Sequence, residues 1–316
     1  MKDSITVVIP AFKARDRIGT ALASVSGADG VSRVIVVIDD LCMETAELAR
    51  AAGALVLIND HNCGPAVSRN RGLAEVTTPY VFFLDSDDWV EAPLLSGLSA
   101  ICDKEGLDLG FGPYVTLIEE TGERITRPKL PPERDAIFRG WLTNYGYVPP
   151  CAVLWRTESL RRFGSWNESI RRQDDAELVL RSILLNAKFG FSDAGMGVYL
   201  SHVSPDRVSQ QSSRINDALE MLRGFLAVPK PALPVSLIRD VVGEAAYEIA
   251  RVAYLEKQFV AGREALRFAR SLGFAQHRGT LLVRAISRVA GLEGRIRLQA
   301  LAKRLSRDRL FAKPQI

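Results

Sequence analysis

The sequence has 316 residues, a net charge of +4, 47% hydrophobic residues and 25% charged residues, which is an ordinary globular balance with length for one large or two medium domains and a real core. No uninterrupted run of about 18 apolar residues offers a membrane-spanning helix, and no charged, then apolar, then cleavable leader opens the chain, so a cytoplasmic protein is expected. Cys42, Cys63, Cys102 and Cys151 are scattered and form no Cys-x-x-Cys pair, which argues against a zinc site or a disulfide framework and for reduced thiols.

Ile5-Thr6-Val7-Val8-Ile9 is continuous and β-branched, ends at Pro10, and predicts a buried parallel strand. Residues 18–25 follow with helical spacing. Val34-Ile35-Val36-Val37-Ile38 predicts a second strand ending at Asp39-Asp40, with a helix over 44–52 after it. Ala54-Leu55-Val56-Leu57-Ile58 is a third strand, and Gly64-Pro65 opens a helix to about 75, with proline at its favoured first turn. Tyr80-Val81-Phe82-Phe83-Leu84 is a fourth strand that again ends in acids.

Strands alternating with helices predict an α/β fold with a mainly parallel sheet. Two strands deliver carboxylates at their C-terminal ends, where open α/β sheets bind ligands. From about 106 to 150 the pattern is irregular, with short strand candidates around Leu109 and Val115 and a proline-rich stretch at 128–132. Ala152-Val153-Leu154-Trp155 predicts a further strand. Asp174-Asp175 opens an amphipathic helix whose apolar positions are Leu178, Leu180, Leu184 and Leu185. Beyond about Ser212 the chain reads as helical, with Pro229, Pro231 and Pro234 marking a boundary or hinge. The expected division is a domain at 1–211 and a helical region at 212–316.

Asp85-Ser86-Asp87-Asp88 is the sharpest chemical feature. Three crowded carboxylates stay ionised beside a cation or in solvent. Hard oxygen ligands suit Mg²⁺ or Mn²⁺, whose remaining positions go to phosphate oxygens and water. The alternative is an acidic loop or helix cap leading to Trp89 and Pro93.

Val8-Ile9-Pro10-Ala11-Phe12, Val36-Val37-Ile38-Asp39-Asp40, residues 62–72 (NCGPAVSRNRG) and Phe83-Leu84-Asp85-Ser86-Asp87-Asp88-Trp89 occur in that order. Together they resemble the family 2 glycosyltransferases, inverting enzymes of the GT-A fold, over roughly residues 4–210. The resemblance implies a nucleotide-sugar donor, UDP-linked by the uracil contact expected of Asp39, and a divalent metal. It places Pro10 and Phe12 in the nucleotide pocket and Asp39 and Asp40 at the base, one binding while the other caps the next helix. It implies a diphosphate contact for Arg69, a ribose or diphosphate contact for Asp85 beside Ser86, and metal ligation for Asp87. Asn70 and Gly72 are expected to pack helix on sheet, and Asp88 to support its loop.

In the resembling family a Glu-Asp pair precedes a helix bearing an arginine. Here Asp174-Asp175 stands in that place, with Arg181 beyond it. Asp175 is then the general base that takes the acceptor proton, and Asp174 its cap or support. His202 stands where relatives place a histidine near the diphosphate, giving it a phosphate or metal role. Trp166 either helps to hold the acceptor or belongs to the core. After Asp40 the family usually has Gly-Ser-x-Asp, whereas this chain has Leu41-Cys42-Met43-Glu44.

Residues 278–313 hold ten Lys/Arg against two acids, a net of +8 that leaves −4 for the rest of the chain. Leu281, Leu282, Ile286, Val289 and Leu292, then Ile296, Leu298, Leu301 and Leu305, recur at helical spacing among the arginines. Such a helix either lies on an anionic membrane, at the inner face, or packs its apolar side on the body. The expected acceptor is a glycan or a lipid-linked glycan, its wall built from 106–150 and the C-terminal helices. No nucleic-acid partner is expected. Two other classes compete. A sugar nucleotidyltransferase would show a glycine-rich basic loop after the first strand, which Pro10-Ala11-Phe12-Lys13 is not. A catalytically silent nucleotide-sugar-binding protein would share the fold. The P-loop and the dinucleotide-binding fingerprint are both missing.

Overall fold

The computed structural model describes residues 4–143, 147–171, 173–202 and 214–274, and residues 290, 291, 294, 295, 297 and 298. Two compact units divide the chain. The first comprises Met1–Ile137, Gly146–Gln211 and Val228–Ala232, and the second Phe138–Tyr145, Ser212–Ala227 and Leu233–Ile316. The piece 138–145 lies inside the expected first domain yet belongs to the second unit, for a packing reason given below.

In the first unit, β1 (Ile5–Ala11), α1 (Ile18–Val25), β2 (Val31–Ile38), α2 (Met43–Ala51), β3 (Leu55–Ile58), α3 (Pro65–Ala74) and β4 (Tyr80–Phe83) alternate as the sequence predicts. Then come β5 (Trp89–Glu91), α4 (Leu94–Glu105), β6 (Leu109–Phe111), β7 (Tyr114–Ile118), β8 (Arg124–Thr126) and α5 (Arg134–Thr143), whose residues from Phe138 on belong to the second unit. After a 3-10 turn at Pro150–Ala152 follow β9 (Val153–Arg156), α6 (Thr157–Arg162), α7 (Asp174–Leu184), β10 (Phe189–Phe191) and β11 (Met196–Ser201).

The main sheet has seven strands in the order β10-β6-β9-β4-β1-β2-β3. β1 pairs in parallel with β2 and β4, and β2 with β3. β9 runs antiparallel to both β4 and β6. Val7, Val8, Ile9, Ile35, Val36, Val37 and Ile38 are all fully buried. Both faces of the sheet are therefore covered, which explains unbroken apolar runs in place of alternation. Strand order reverses between β1 and β4, and such a switch point opens a crevice at the C-terminal strand ends.

α3 lies close on this sheet because of Gly72. A Cβ there would stand 2.4 Å from Val8 Cγ1 and 3.3 Å from Val37 Cγ2. A second sheet, β5-β11-β7-β8, has four strands, with β11 parallel to β7 and antiparallel to β5. β11 runs against the 3-10 turn, where a Cβ on Gly197 would meet the Cys151 carbonyl oxygen at 2.4 Å. That course ends at Ser201 and brings His202 to the loop that follows β4.

The second unit contains α8 (Arg214–Ala227), α9 (Val235–Leu255) and α10 (Phe259–Ser271). Phe138 is fully buried against Phe225, centroid to centroid 5.7 Å. Arg139 pairs with Asp240 at 2.9 Å and Glu244 at 3.0 Å. These contacts tie Phe138 and Arg139 to this unit. Most of the basic tail, including Leu281, Leu282, Ile286, Val289, Leu292, Ile296, Leu301 and Leu305, lies outside the described residues. Within the described part, Arg295 is buried and the Arg297 guanidinium stands 5.8 Å from the Tyr254 ring centroid and 6.0 Å from that of Phe259. Among the described residues no helix is long and apolar enough to cross a membrane.

Candidate active site

Leu84 ends the buried run, and residues 85–88 turn back on themselves, the Asp88 amide donating to the Asp85 carbonyl at 3.0 Å. The three carboxylates of this turn meet three different partners. Asp88 is 1% exposed and accepts the Leu200 amide of β11 at 2.9 Å. Asp85 accepts from Arg69 at 2.6 Å. Asp87 Oδ2 lies 2.9 Å from His202 Nε2. Asp85 and Asp87 keep partly exposed side chains, 29% and 25%, and Ser86 between them is partly exposed as well.

Arg69 is the buried centre of the site. Its guanidinium donates to Asp85 and, through the other terminal nitrogen, to Asp174 at 2.6 Å. It stacks over the Trp166 ring at 4.4 Å, and its side chain is only 5% exposed. Burial works against its charge, but Asp85 and Asp174 outweigh that and hold the group firmly ionised. The guanidinium expected at the diphosphate is paired internally, with Asp85 and Asp174. A buried guanidinium needs paired carboxylates, and α3 has two within reach.

α7 places the second half of the site. Asp174 is buried, and burial raises its pKa although Arg69 pulls the other way. Its carboxylate goes to Arg69 and supports the loop instead of capping the helix. Asp175 is partly exposed. Its Oδ2 accepts the Tyr147 hydroxyl at 2.6 Å and its Oδ1 the Ala176 amide at 2.8 Å. A pocket lined by Phe83, Val148, Trp155, Trp166 and Leu178 adjoins it. Burial raises the Asp175 pKa, while the Tyr147 hydrogen bond and Arg69 act downward.

Two acids tie down the loop after β2. Asp39 is 3% exposed. Its Oδ1 accepts from Asn59 at 2.6 Å and from the Cys63 amide at 2.9 Å, and its Oδ2 from the Gly64 amide at 2.8 Å. This carboxylate anchors the loop that leads into α3. Asp40 accepts from the Lys13 amide at 2.5 Å and the Cys42 amide at 3.1 Å. It tightens the entry to α2 and ties that entry to the end of β1. Pro10 pairs with Val37, and Phe12 just beyond is 37% exposed, at the mouth of the crevice.

Trp166 is 4% exposed and meets Phe83 edge-on at 5.0 Å, so it belongs to the core. Asn70 brackets it, accepting its amide at 3.0 Å and donating to its carbonyl at 2.9 Å. Arg181 pairs with Glu177 at 2.7 Å and donates to the carbonyls of Phe163 and Ser165, which fixes the turn before α7. Tyr147, the partner of Asp175, has no signal in the sequence. It stands in the irregular stretch, and its Asp175 contact spans 28 residues.

Among the described residues no group of three or more His, Cys, Asp or Glu side chains is arranged to hold a metal. Asp87 and His202 supply one oxygen and one nitrogen donor side by side. That donor set fits an ion such as Mn²⁺ or Mg²⁺ that takes few protein ligands and draws the rest from diphosphate and water.

Amylovoran biosynthesis glycosyltransferase AmsB of Erwinia amylovora is 29% identical over 60% of this chain and 67% of its own length. A pre-mycofactocin glycosyltransferase of Mycobacterium tuberculosis is 29% identical over 59% of this chain, which spans only 40% of that relative. Among solved structures, S. aureus TarS in complex with UDP-GlcNAc superposes with a TM-score of 0.69, covering 97% of this chain and 92% of that one at 18% identity. That identity speaks for the fold alone, the GT-A arrangement of a central sheet flanked by helices. The sequence model of glycosyl transferase family 2 matches residues 6–164. That span carries β1, β2, α3, β4 and every carboxylate of the two strand-end loops, and the chain belongs to that family.

Proposed function

We propose that the protein transfers a glycosyl group from a UDP-linked sugar to a hydroxyl of a glycan or lipid-linked acceptor, with inversion at the anomeric carbon. One observation carries this reading. Arg69 joins Asp85 to Asp174, so the carboxylate turn after β4 and the start of α7 meet in one crevice. Asp85, Ser86 and Asp87 then face the donor diphosphate while Asp175 faces the acceptor. Phe12 and Pro10 offer an apolar wall for the base, and the Asp39-anchored loop supports it from behind.

Asp175 takes the proton of the acceptor hydroxyl, whose oxygen attacks the anomeric carbon from the face opposite the diphosphate. The bond from that carbon to the diphosphate oxygen breaks, and the electron pair leaves with UDP. Asp87 and His202 would hold a divalent metal, which when bound acts as a Lewis acid toward the leaving diphosphate. The raised Asp175 pKa makes this carboxylate a better base than a solvated one.

The test is turnover with a panel of UDP-, GDP- and dTDP-sugars and Mn²⁺. Release of nucleoside diphosphate that is lost in Asp87→Ala and Asp175→Asn supports the reading. Release of pyrophosphate points to a nucleotidyltransferase, and binding without turnover to a silent protein.

A further inference from the structure

We propose that Tyr147 is a positioning residue for the base: its hydroxyl fixes the Asp175 carboxylate from the acceptor side of the crevice. The inference rests on the reading of Asp175 as general base. Its observation is separate, a 2.6 Å hydrogen bond from the Tyr147 hydroxyl to Asp175 Oδ2.

The geometry makes this bond directional. The Tyr147 carbonyl accepts the Tyr114 hydroxyl at 2.7 Å, so β7 fixes the backbone from which the phenol reaches. Its ring meets Tyr199 of β11 edge-on at 6.3 Å. The phenol is thus braced by two strands of the second sheet while its tip lies on α7. Residue Tyr147 is nonetheless 38% exposed, as a group at the edge of an acceptor site must be. With Oδ2 held by the phenol and Oδ1 oriented by the Ala176 amide, the carboxylate plane cannot turn freely. A base held in one rotamer presents its remaining lone pairs in one direction, which is what proton abstraction needs.

The groups facing Asp175 are few. Asp174 is its neighbour on α7, Arg69 approaches from α3, Asp85 from the end of β4, and Tyr147 from before the 3-10 turn. Of these, Tyr147 alone donates a side-chain hydrogen bond to Asp175. A donated bond favours the carboxylate form. Burial and the nearby Asp175 charge push the phenol's own pKa upward, so it stays a donor.

The test compares wild type, Tyr147→Phe and Asp175→Asn as full-length proteins. The Asp175 carboxyl is followed by ¹³C NMR over pH, assigned by its loss in Asp175→Asn. UDP release is measured in parallel from a UDP-Glc, UDP-Gal, UDP-GlcNAc and UDP-GlcA panel with Mn²⁺. In Tyr147→Phe the carboxyl midpoint and the acid limb of kcat both move to higher pH. At the optimum kcat falls by about tenfold while the donor KM is unchanged. An unmoved midpoint overturns the proposal, whatever the rate. A moved midpoint with full activity in Asp175→Asn overturns the base reading itself, so the two failures are distinct.

Discussion

Asp39-Asp40 and residues 85–88 both follow a buried parallel strand, and both present acids to the same end of the sheet. Backbone amides supply most donors to the first pair: Cys63 and Gly64 donate to Asp39 beside the Asn59 side chain, and Lys13 and Cys42 donate to Asp40. In the second group only Asp88 goes to a backbone amide. Asp85 and Asp87 are left to Arg69 and His202. The difference is the local supply of N–H groups. A loop that turns into a helix has unpaired amides to satisfy, whereas the turn after β4 closes on its own carbonyl. Asp39 is buried among its donors, whereas Asp85 and Asp87 keep partly exposed side chains.

The sharpest break in that comparison comes from Arg69, which joins the second loop to Asp174 of α7. Arg69→Met leaves Asp174 buried without its cation and costs about 3–5 kcal/mol, measured by urea unfolding. A loss under about 1 kcal/mol would mean that Asp174 is accommodated without this pair.

Asp87→Ala and Asp39→Ala should separate by readout. Asp87→Ala lowers turnover by about a hundredfold or more while the midpoint of thermal unfolding scarcely moves. Asp39→Ala leaves buried donors on Asn59, Cys63 and Gly64 unsatisfied and costs about 2–3 kcal/mol of stability. Equal stability losses in the two variants would erase the distinction between the loops.

The pH profile sharpens the contrast on the acceptor side. Asp175 titrates above the ordinary carboxylate value of 3.8. The active base is the ionised form, so kcat/KM rises as pH rises through the raised pKa. The acid limb therefore falls at higher pH than a solvated carboxylate gives. A limb at or below 3.8 would show that burial does not govern this group.

Much of the fold was legible because its central strands are long and buried on both faces. β1, β2, β4 and α7 stand where their apolar patterns put them, and Gly72 packs as expected. The second sheet was not legible as a sheet. β5 and β8 have three residues each, too few for a period to show. The site was legible as residue types but not as partnerships. Arg69 and Asp174 are 105 residues apart, and no local pattern reports that an arginine on one helix closes on the start of another. Asp39 shows the same limit: an acid at a strand end reads alike in sequence whatever donors surround it, and its bonds to Asn59, Cys63 and Gly64 left no local trace.

The smallest expected effect lies in the loop after β2, at the residue where this chain departs from the usual glycine. Leu41 has φ 58°, a left-handed conformation that a branched side chain adopts at a cost, and it is 54% exposed. Leu41→Gly removes that strain, about 1 kcal/mol, but adds chain entropy to the unfolded state, so the net gain is about 0.5 kcal/mol. The Asp40 bond to the Cys42 amide survives the change because it uses backbone. A higher unfolding midpoint with unaltered turnover would show that the first loop is scaffold. A stability gain accompanied by weaker binding of UDP would instead give Leu41 a place against the nucleotide, and with it a share of the site to the loop that backbone donors hold.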